Sequence, residues 1–190
     1  MLKPYVYRPR SSWVYLVLVV LIGTATAISF ATAGRTADAI NATLVFIALS
    51  IFIWVFLVGP KIVYSVQTLV IHNPFTRVTI GWASVEEFEA RFSFTVVTQT
   101  KKVSAWAAPA PTKFQTRRIR DADLNRVGSQ HRTGHAQESD SNAALELALR
   151  YQESATRHNE LIELHEVRVN TQALVGVVLG AALLLITFIH

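Results

Sequence analysis

Three long stretches of this sequence carry no charged residue, and they restrict the chain to folds that can bury them. The stretches cover 11–34, 39–60 and 169–189. An α-helix rises about 1.5 Å per residue, so about 20 residues cross the hydrocarbon core of a bilayer. Hydrophobic residues make up 51% of the 190 residues and charged residues 16%, a balance unusual for a soluble protein. The sequence therefore predicts three transmembrane helices.

The first stretch shares features with a secretory signal, because Lys3, Arg8 and Arg10 precede it and small residues end it. It is longer than the roughly 7 to 15 apolar residues of a signal core. The second stretch also begins within a few residues of its end. We therefore interpret the pair as a transmembrane hairpin over 11–60, with spans at about 12–34 and 39–60.

The distribution of basic residues predicts how the spans are oriented. Of the 18 Lys and Arg residues, three precede the first span, 14 lie between Lys61 and Arg168, and Arg35 stands alone in the first loop. The cytoplasmic loops of membrane proteins carry the excess of Lys and Arg. We therefore expect a multi-pass protein of the plasma membrane. Its amino terminus and central domain would be cytoplasmic, and its carboxyl terminus would lie outside.

Directly after Gly59 and Pro60, the hydrophobic pattern changes from helical to alternating. About 45 residues hold five or six such short apolar series, which predicts a small antiparallel sheet that curls on itself or packs under a helix. The series comprise Ile62, Tyr64 and Val66; Leu69 and Ile71; Val78, Ile80 and Trp82; Phe88, Ala90, Phe92, Phe94 and Val96; and 103–106.

A polar linker over 117–141 is predicted next, because its second half is rich in Gly, Ser, His and charge. From 142 to 168 the pattern is helical, with a packed seam on one face. The seam comprises Ala144, Ala148, Tyr151, Ala155, His158, Ile162, His165 and Val169. Neither Gly nor Pro separates this segment from the third apolar stretch. The sequence therefore predicts one amphipathic helix that continues directly into the third span, 169–190.

The strand-forming segment also carries recognisable motifs. A spanning hairpin that ends in proline precedes strands of the form Val66-x-x-Leu69-x-Ile71, and Asn73-Pro74-Phe75 leads into Val78-x-Ile80-x-Trp82. A later strand closes with Ala105-Trp106-Ala107. Over roughly residues 10 to 115, this order resembles the membrane-anchored bacterial PH-like domain proteins of actinobacteria, related to the low molecular weight antigen type of PH domain.

The resemblance implies a PH-like β-roll over 61–116 and no catalytic residues, because that family is better known as a binding fold than as an enzyme. Gln67 stands where the family usually has a glycine in the tight turn between the first two strands. Glycine enters left-handed backbone conformations at lower cost than Gln, so the type of this turn is left open.

Basic residues near the predicted membrane surface are the candidates for contact with lipid head groups. Each could contribute about 1 kcal/mol of attraction to an anionic leaflet. The alternative is ordinary charge that fixes the topology and binds nothing specific. The six candidates are Lys101, Lys102, Lys113, Arg117, Arg118 and Arg120.

Two small-residue ridges are candidates for close helix packing. Gly23, Ala27 and Ala31 recur at every fourth position of the first span, and the second span is their expected partner. Gly176 and Gly180 form a Gly-x-x-x-Gly motif in the third span. The sequence leaves open whether this motif packs within the chain or between chains.

Catalytic and metal-binding patterns are weak. The chain has no cysteine, which excludes disulfides, thiolate metal sites and cysteine nucleophiles. His131 and His135 with Glu138 are interpreted as part of the polar loop, and His158 and His165 as packed or interface residues. We therefore predict no metal, no cofactor and no catalytic residue.

These observations predict an α+β membrane protein with a tail at 1–10, followed by the hairpin, the PH-like domain, the linker, the amphipathic helix and the third span. We expect a non-enzymatic scaffold or accessory subunit that binds a protein partner or lipid head groups. Its partners would be the bilayer and another membrane protein or a second copy of itself, without nucleic acid. The alternative is a membrane enzyme or transport component with chemistry between the spans, which intramembrane charges would favour.

Overall fold

The computed structural model describes residues 3–9, 11–90, 92–109 and 140–189. Within these ranges the protein is an α+β structure with four helices and antiparallel sheets. The helices are α1 (Ser11–Thr32), α2 (Thr36–Val58), α3 (Asp140–Arg157) and α4 (Thr171–Ile189). The strands are β1 (Tyr5–Tyr7), β2 (Lys61–Tyr64), β3 (Thr68–His72), β4 (Thr76–Gly81), β5 (Val85–Glu89), β6 (Ser93–Thr98), β7 (Lys102–Pro109) and β8 (His165–Val169).

Helices α1, α2 and α4 have the length and apolar composition needed to cross a membrane. Their outward faces carry large apolar side chains, such as Leu21 and Val178, each 65% exposed. Continuous apolar surface of this kind is rare on soluble monomers. The three predicted spans therefore correspond to three helices that are long and apolar enough to cross a membrane.

Helix α2 packs against both α1 and α4, and small residues make these contacts possible. A Cβ atom added at Gly23 would lie 2.6 Å from the Phe46 side chain of α2. The corresponding distances are 2.8 Å from Gly176 to Val55 and 3.1 Å from Gly180 to the Phe52 ring. The Gly-x-x-x-Gly motif of the third helix therefore faces α2 of the same chain.

Helix α2 ends in a wide turn at the start of the β domain. The Gly59 N–H donates to the carbonyl of Trp54, five residues back, at 2.7 Å. Pro60 then prevents further helix because it has no N–H to donate. Strand β2 begins at the next residue, so the chain passes from helix to sheet without a flexible linker.

The β domain consists of two antiparallel sheets and one helix. Sheet A has the strand order β1-β2-β3-β4-β8, and sheet B has the order β5-β6-β7. Helix α3 packs against β2, β6 and β7. The buried core draws its largest side chains from both sheets, among them Trp82, Tyr64 and Phe94.

Two buried aromatic residues form hydrogen bonds through their polar atoms, and the first bond joins sheet A to α3. The Tyr64 hydroxyl donates to the carbonyl of Ala144 in α3 at 2.9 Å, and burial raises the pKa of Tyr64. The Trp82 indole N–H donates to the carbonyl of Ser65 at 3.1 Å. Buried Tyr and Trp normally find such partners, because an unpaired buried donor is costly.

Most of the alternating residues lie where the sequence placed them. Ile62, Leu69 and Ile80 are fully buried on the core face of sheet A. The long series from Phe88 to Val96 is instead divided between β5 and β6, with Phe92 74% exposed beside the turn. No Gly or Pro marks this turn, so the uninterrupted alternation of apolar and polar residues gave no sign of it in the sequence.

The turn at Gln67 does not require glycine. Among the described residues other than glycine, only Asn159 has a positive φ, at 54°. The Ser65 N–H donates to the carbonyl of Thr68 at 2.9 Å and closes this turn. Gln at this position is therefore compatible with the strand pairing of β2 and β3.

The prediction of one helix from 142 into the third span is wrong. Helix α3 ends at Arg157, and the left-handed conformation of Asn159 turns the chain. The chain then forms β8, which pairs with β4 from Ile80↔His165 to Thr76↔Val169. Pairing with the open edge of β4 satisfies the backbone N–H and C=O groups of β8, which a helix would have satisfied internally. The choice between strand and helix for these residues therefore depends on a long-range contact with β4.

The tail at 1–10 is also more structured than predicted. Tyr5–Tyr7 forms β1, which pairs with β2 at the edge of sheet A. The Tyr151 hydroxyl of α3 donates to the carbonyl of Lys3. The amino-terminal segment is therefore part of the β domain.

We expect Gly81→Ala to destabilise the β domain. The added Cβ would lie 2.1 Å from the carbonyl oxygen of Ile162, a backbone atom that cannot move aside without disturbing the β4–β8 pairing. Overpacking of this kind costs about 1 to 3 kcal/mol. Thermal unfolding of the detergent-solubilised protein should show a lower midpoint. The exposed Ala83→Ser change two residues away should leave the midpoint unaltered, and equal midpoints for both variants would contradict this account.

Candidate functional site

The three apolar helices all join the same end of sheet A, which we call the helix-proximal end. Two residues separate the end of α2 from the start of β2, and one residue separates the end of β8 from the start of α4. Strand β1 ends four residues before α1 begins. The residues at this end of each strand therefore lie next to the first or last turn of a helix.

Four basic residues lie opposite one another at the helix-proximal end. The strand register pairs Lys61 with His72, His72 with Arg77, and Arg77 with Arg168. Directly opposed residues project from the same face of a sheet. The next residues along the strands, including Ile62 and Ile71, are buried, so the four basic side chains project from the outer face.

Arg8 extends this row by one position. Tyr7 pairs with Ile62, so the following residue, Arg8, continues the register beside Lys61. Arg8 is also close enough to His72 to lower the pKa of its imidazole. We call the five residues the basic row: Arg8, Lys61, His72, Arg77 and Arg168.

The row is electrostatically unfavourable by itself, because like charges directly opposite one another destabilise a sheet. Arg168 has one acidic neighbour, Glu166, whose Oε1 lies 2.6 Å from the Arg168 Nε. Among the salt bridges formed by the described residues, none involves Lys61 or Arg77. The middle of the row is therefore positive and suited to an anionic ligand.

His72 is held neutral within this row. Partial burial lowers its pKa from 6.5 to about 4, and the charges of Lys61, Arg77 and Arg8 act in the same direction. A neutral imidazole can donate one hydrogen bond and accept another. An anion that neutralised the neighbouring cations would raise the pKa of His72 again.

Asn73 joins the row to sheet B and to α4. Its side-chain Nδ2 donates to the carbonyl of Ser104 at 2.9 Å, and its Oδ1 accepts from the Trp106 N–H at 2.8 Å. The Nδ2 of Asn170 donates to the Asn73 carbonyl at 3.1 Å. The Asn170 Oδ1 also accepts from the Ala173 N–H, in the first turn of α4. We call this arrangement the Asn73 joint.

An aromatic contact fixes the same turn to α2. The ring centroids of Phe75 and Phe56 lie 5.6 Å apart with an interplanar angle of 73°. Edge-to-face pairs of this kind are favourable beyond their buried area. The Asn73 turn therefore positions the sheet on the helices.

The six lipid-contact candidates predicted from the sequence do not form the basic row. Lys101 and Lys102 lie at the hairpin between β6 and β7, and Lys102 Nζ pairs with Glu89 at 2.6 Å. This partner raises the pKa of Lys102 and neutralises its charge locally. Lys113, Arg117, Arg118 and Arg120 lie outside the described residues, so their lipid contact stays a prediction.

The histidine clusters considered in the sequence are separated in the structure. The ring of His158 bonds to the carbonyl of Ser154 at 2.8 Å. His165 lies in β8 opposite Ile80, and its ring nitrogens are buried. Within the described ranges, no three His, Cys, Asp or Glu residues could hold a metal ion together. His131, His135 and Glu138 fall outside those ranges.

Sequence reasoning missed the basic row because its members are dispersed along the chain, between positions 8 and 168. Local charge density therefore favours other segments. A usable signal exists nevertheless, since Arg8, Lys61 and Arg168 each lie within three residues of an apolar stretch. The strand register then adds His72 and Arg77.

Comparison of the chain with protein-family models, with curated proteins and with solved structures finds no match.

Replacing Asn73 by alanine should destabilise the domain and loosen sheet B from sheet A. The change leaves the Ser104 carbonyl and the Trp106 N–H without their partners. The expected loss is about 1 to 3 kcal/mol in the free energy of unfolding. Thermal unfolding in detergent measures it, with the exposed Gln67→Ala change as the control. A midpoint for Asn73→Ala equal to that of the control would disprove the role assigned to this side chain.

Lowering the pH from 6.5 to 4 should destabilise the protein partly through His72. The unfolded chain takes up a proton near pH 6.5, whereas folded His72 takes it up only near 4. Stability contributed by this group is therefore complete above 6.5 and is lost as the pH falls toward 4. His72→Gln should reduce the slope of thermal midpoint against pH in this window. His158→Gln serves as the matched control, and identical slopes for both variants would argue against the assignment.

Proposed function

We propose that this protein is a non-enzymatic membrane scaffold or accessory subunit that holds a PH-like β domain on the cytoplasmic leaflet. In this proposal the basic row binds the phosphate groups of anionic lipids. The observation that carries the proposal is the position of the row, which lies directly beside three helices able to cross a membrane. Lipid phosphates would lie close to these side chains.

The charge of the leaflet favours this ligand. The cytoplasmic leaflet carries anionic lipids, and each nearby Lys or Arg contributes about 1 kcal/mol of attraction. Four members of the row are Lys or Arg, and one of them already has a carboxylate partner. A bound phosphate would also relieve the repulsion between the opposed cations, so binding and domain stability would support one another.

The layout of the β domain supports a PH-like fold. Sheet A contributes β2, β3 and β4 in sequential antiparallel order, and sheet B contributes β5, β6 and β7. Helix α3 follows and packs between them at one side of the core. Two sheets closed by a carboxyl-terminal helix are the arrangement that a PH-like β-roll would have. Strands β1 and β8 are additions that connect this roll to the helices.

The apolar helices favour a scaffold over chemistry between the spans. No Asp, Glu, Lys or Arg occurs in 11–34, 39–60 or 169–189. The hydroxyls of Thr43 and Ser50 donate to carbonyls of their own helix, at 2.7 Å each. Intramembrane relays and ion paths normally use ionisable groups. The hydroxyls of these two residues are thus used within their own helix.

Removing two charges from the centre of the row tests the proposed lipid site. We expect the double variant Lys61→Gln/Arg77→Gln to lose about 2 kcal/mol of preference for anionic lipid, roughly a thirtyfold change. Native mass spectrometry can count phosphatidylglycerol and phosphatidylcholine molecules retained by the purified protein from an equimolar mixture.

The matched control is Lys101→Gln/Lys102→Gln, which removes two charges from the lipid-contact candidates predicted from the sequence. This variant has the same net charge but should retain the preference for phosphatidylglycerol. Loss of the preference in the control, together with its persistence in Lys61→Gln/Arg77→Gln, would contradict the proposed site. Thermal unfolding of both variants checks that each one is folded.

A further inference from the structure

A cavity of about 660 Å³ lies between the β domain and the apolar helices, separate from the basic row. Its lower wall comes from the first turns of α1 and the last turn of α2, including Ser11, Tyr15 and Leu57. Its upper wall comes from the start of β6 and the middle of β7. The volume is in the usual range for small-molecule sites, about 300 to 1,000 Å³.

The lower wall connects the cavity to the apolar environment of the helices. Tyr15 and Leu57 belong to the charge-free stretches, within one or two turns of their ends. Tyr15 is 57% exposed and Leu57 is 39% exposed. If these helices cross a bilayer, the lower part of the cavity is continuous with the region of the acyl chains.

The upper wall is polar at its centre. The hydroxyls of Ser93 and Ser104 lie 2.5 Å apart in a hydrogen bond. When Ser93 donates to Ser104, the Ser104 O–H is left to donate into the cavity. Ser11 adds a further hydroxyl to the lining. The cavity thus presents serine hydroxyls from the start of α1 and from β6 and β7, beside apolar side chains from the last turn of α2.

Two aromatic side chains of the β domain line the same cavity. Trp106 is 57% exposed and Phe92 is 74% exposed, although both are large and apolar. Aromatic rings are enriched at the membrane interface, where one edge meets water and the rest meets lipid. Trp106 is held there by the Asn73 joint, through its backbone N–H. The rings therefore lie where a lipid molecule would contact the domain.

We infer that this cavity binds one glycerophospholipid of the adjoining leaflet. An acyl chain packs between Tyr15 and Leu57, the ester oxygens lie near the serine hydroxyls, and Trp106 covers the upper part of the chain. Recognition uses the glycerol and acyl parts that all glycerophospholipids share, whereas the basic row uses the charge of the head group. The inference depends on the proposed function only in requiring that the domain face the membrane.

Photocrosslinking with a lipid that has no net charge tests the inference. The probe is a phosphatidylcholine that carries a diazirine on one acyl chain, mixed into vesicles that contain the full-length protein. After illumination, mass spectrometry maps the modified peptides. We expect crosslinks on 92–93 and 104–106 of the β domain in addition to those on the helices. Crosslinks confined to the helices of the wild-type protein would overturn the inference.

A cavity-filling variant gives the second test. Ser104→Trp should lower the crosslink yield on the β domain about tenfold, since excluding two methylene groups from the cavity is enough for a factor of that size. Thr100→Trp, at the exposed β6–β7 turn, adds the same side chain outside the cavity and should leave the yield unchanged. Equal domain yields in the two variants would also overturn the inference.

The same probe separates this inference from the proposed lipid site. Phosphatidylcholine has no net charge, so Lys61→Gln/Arg77→Gln should crosslink on the domain as the wild-type protein does. If the row variant loses its preference for anionic lipid while wild-type domain crosslinks are absent, the cavity inference fails and the proposed function stands. If the β domain of the wild-type protein is crosslinked but the protein shows no preference for anionic lipid, the cavity inference stands and the proposed lipid site of the basic row fails.

Discussion

The short links between sheet A and the three apolar helices are the constraint on which the rest of the structure depends. Two residues separate α2 from β2, and Asn170 alone separates β8 from α4. Links of this length transmit the direction of a helix to the strand that follows, so the register of the sheet and the packing of the helices fix one another. The domain has little freedom to rotate relative to its anchors.

This constraint explains why the polar and aromatic features of the domain gather at one end. The Asn73 turn meets α2 through Phe75 and α4 through Asn170, and it also binds β7. The basic row crosses sheet A at the same level. Opposed like charges cost a fraction of a kcal/mol per pair, which the fully buried core formed by Tyr64, Trp82 and Phe94 can offset.

The parts of the fold that could be predicted from sequence are those with a strong local signal. The three charge-free stretches are predominantly apolar, and most of each one forms a helix. Ile62, Leu69 and Ile80 lie at alternating positions of their strands because one face of sheet A is buried. The helix that ends at Arg157 has a true amphipathic pattern up to Ala155, which is fully buried. Beyond it, the residues of β8 satisfy a helical spacing equally well. Only the open edge of β4, far away in sequence, decides their conformation.

The basic row was not predicted from the sequence. For lipid contact, the sequence favoured the dense cluster from Lys101 onward, where Lys102 pairs with Glu89. The basic row combines residues from β2, β3, β4 and β8 with Arg8, and its existence depends on strand pairing that no local pattern contains. The cavity likewise combines α1, α2, β6 and β7. Sites assembled from distant segments become visible only when the register is known.

The central claim is that three spans hold the β domain on the inner surface of the membrane. The most direct test is to determine from which side of the membrane each part of the chain can be labelled. Single cysteines replace Thr36, the first residue of α2, and Thr100, in the β6–β7 turn, of this cysteine-free chain. A membrane-impermeant maleimide should label Thr36→Cys in intact cells and Thr100→Cys only after permeabilisation. Labelling of Thr100→Cys from outside intact cells would contradict the account.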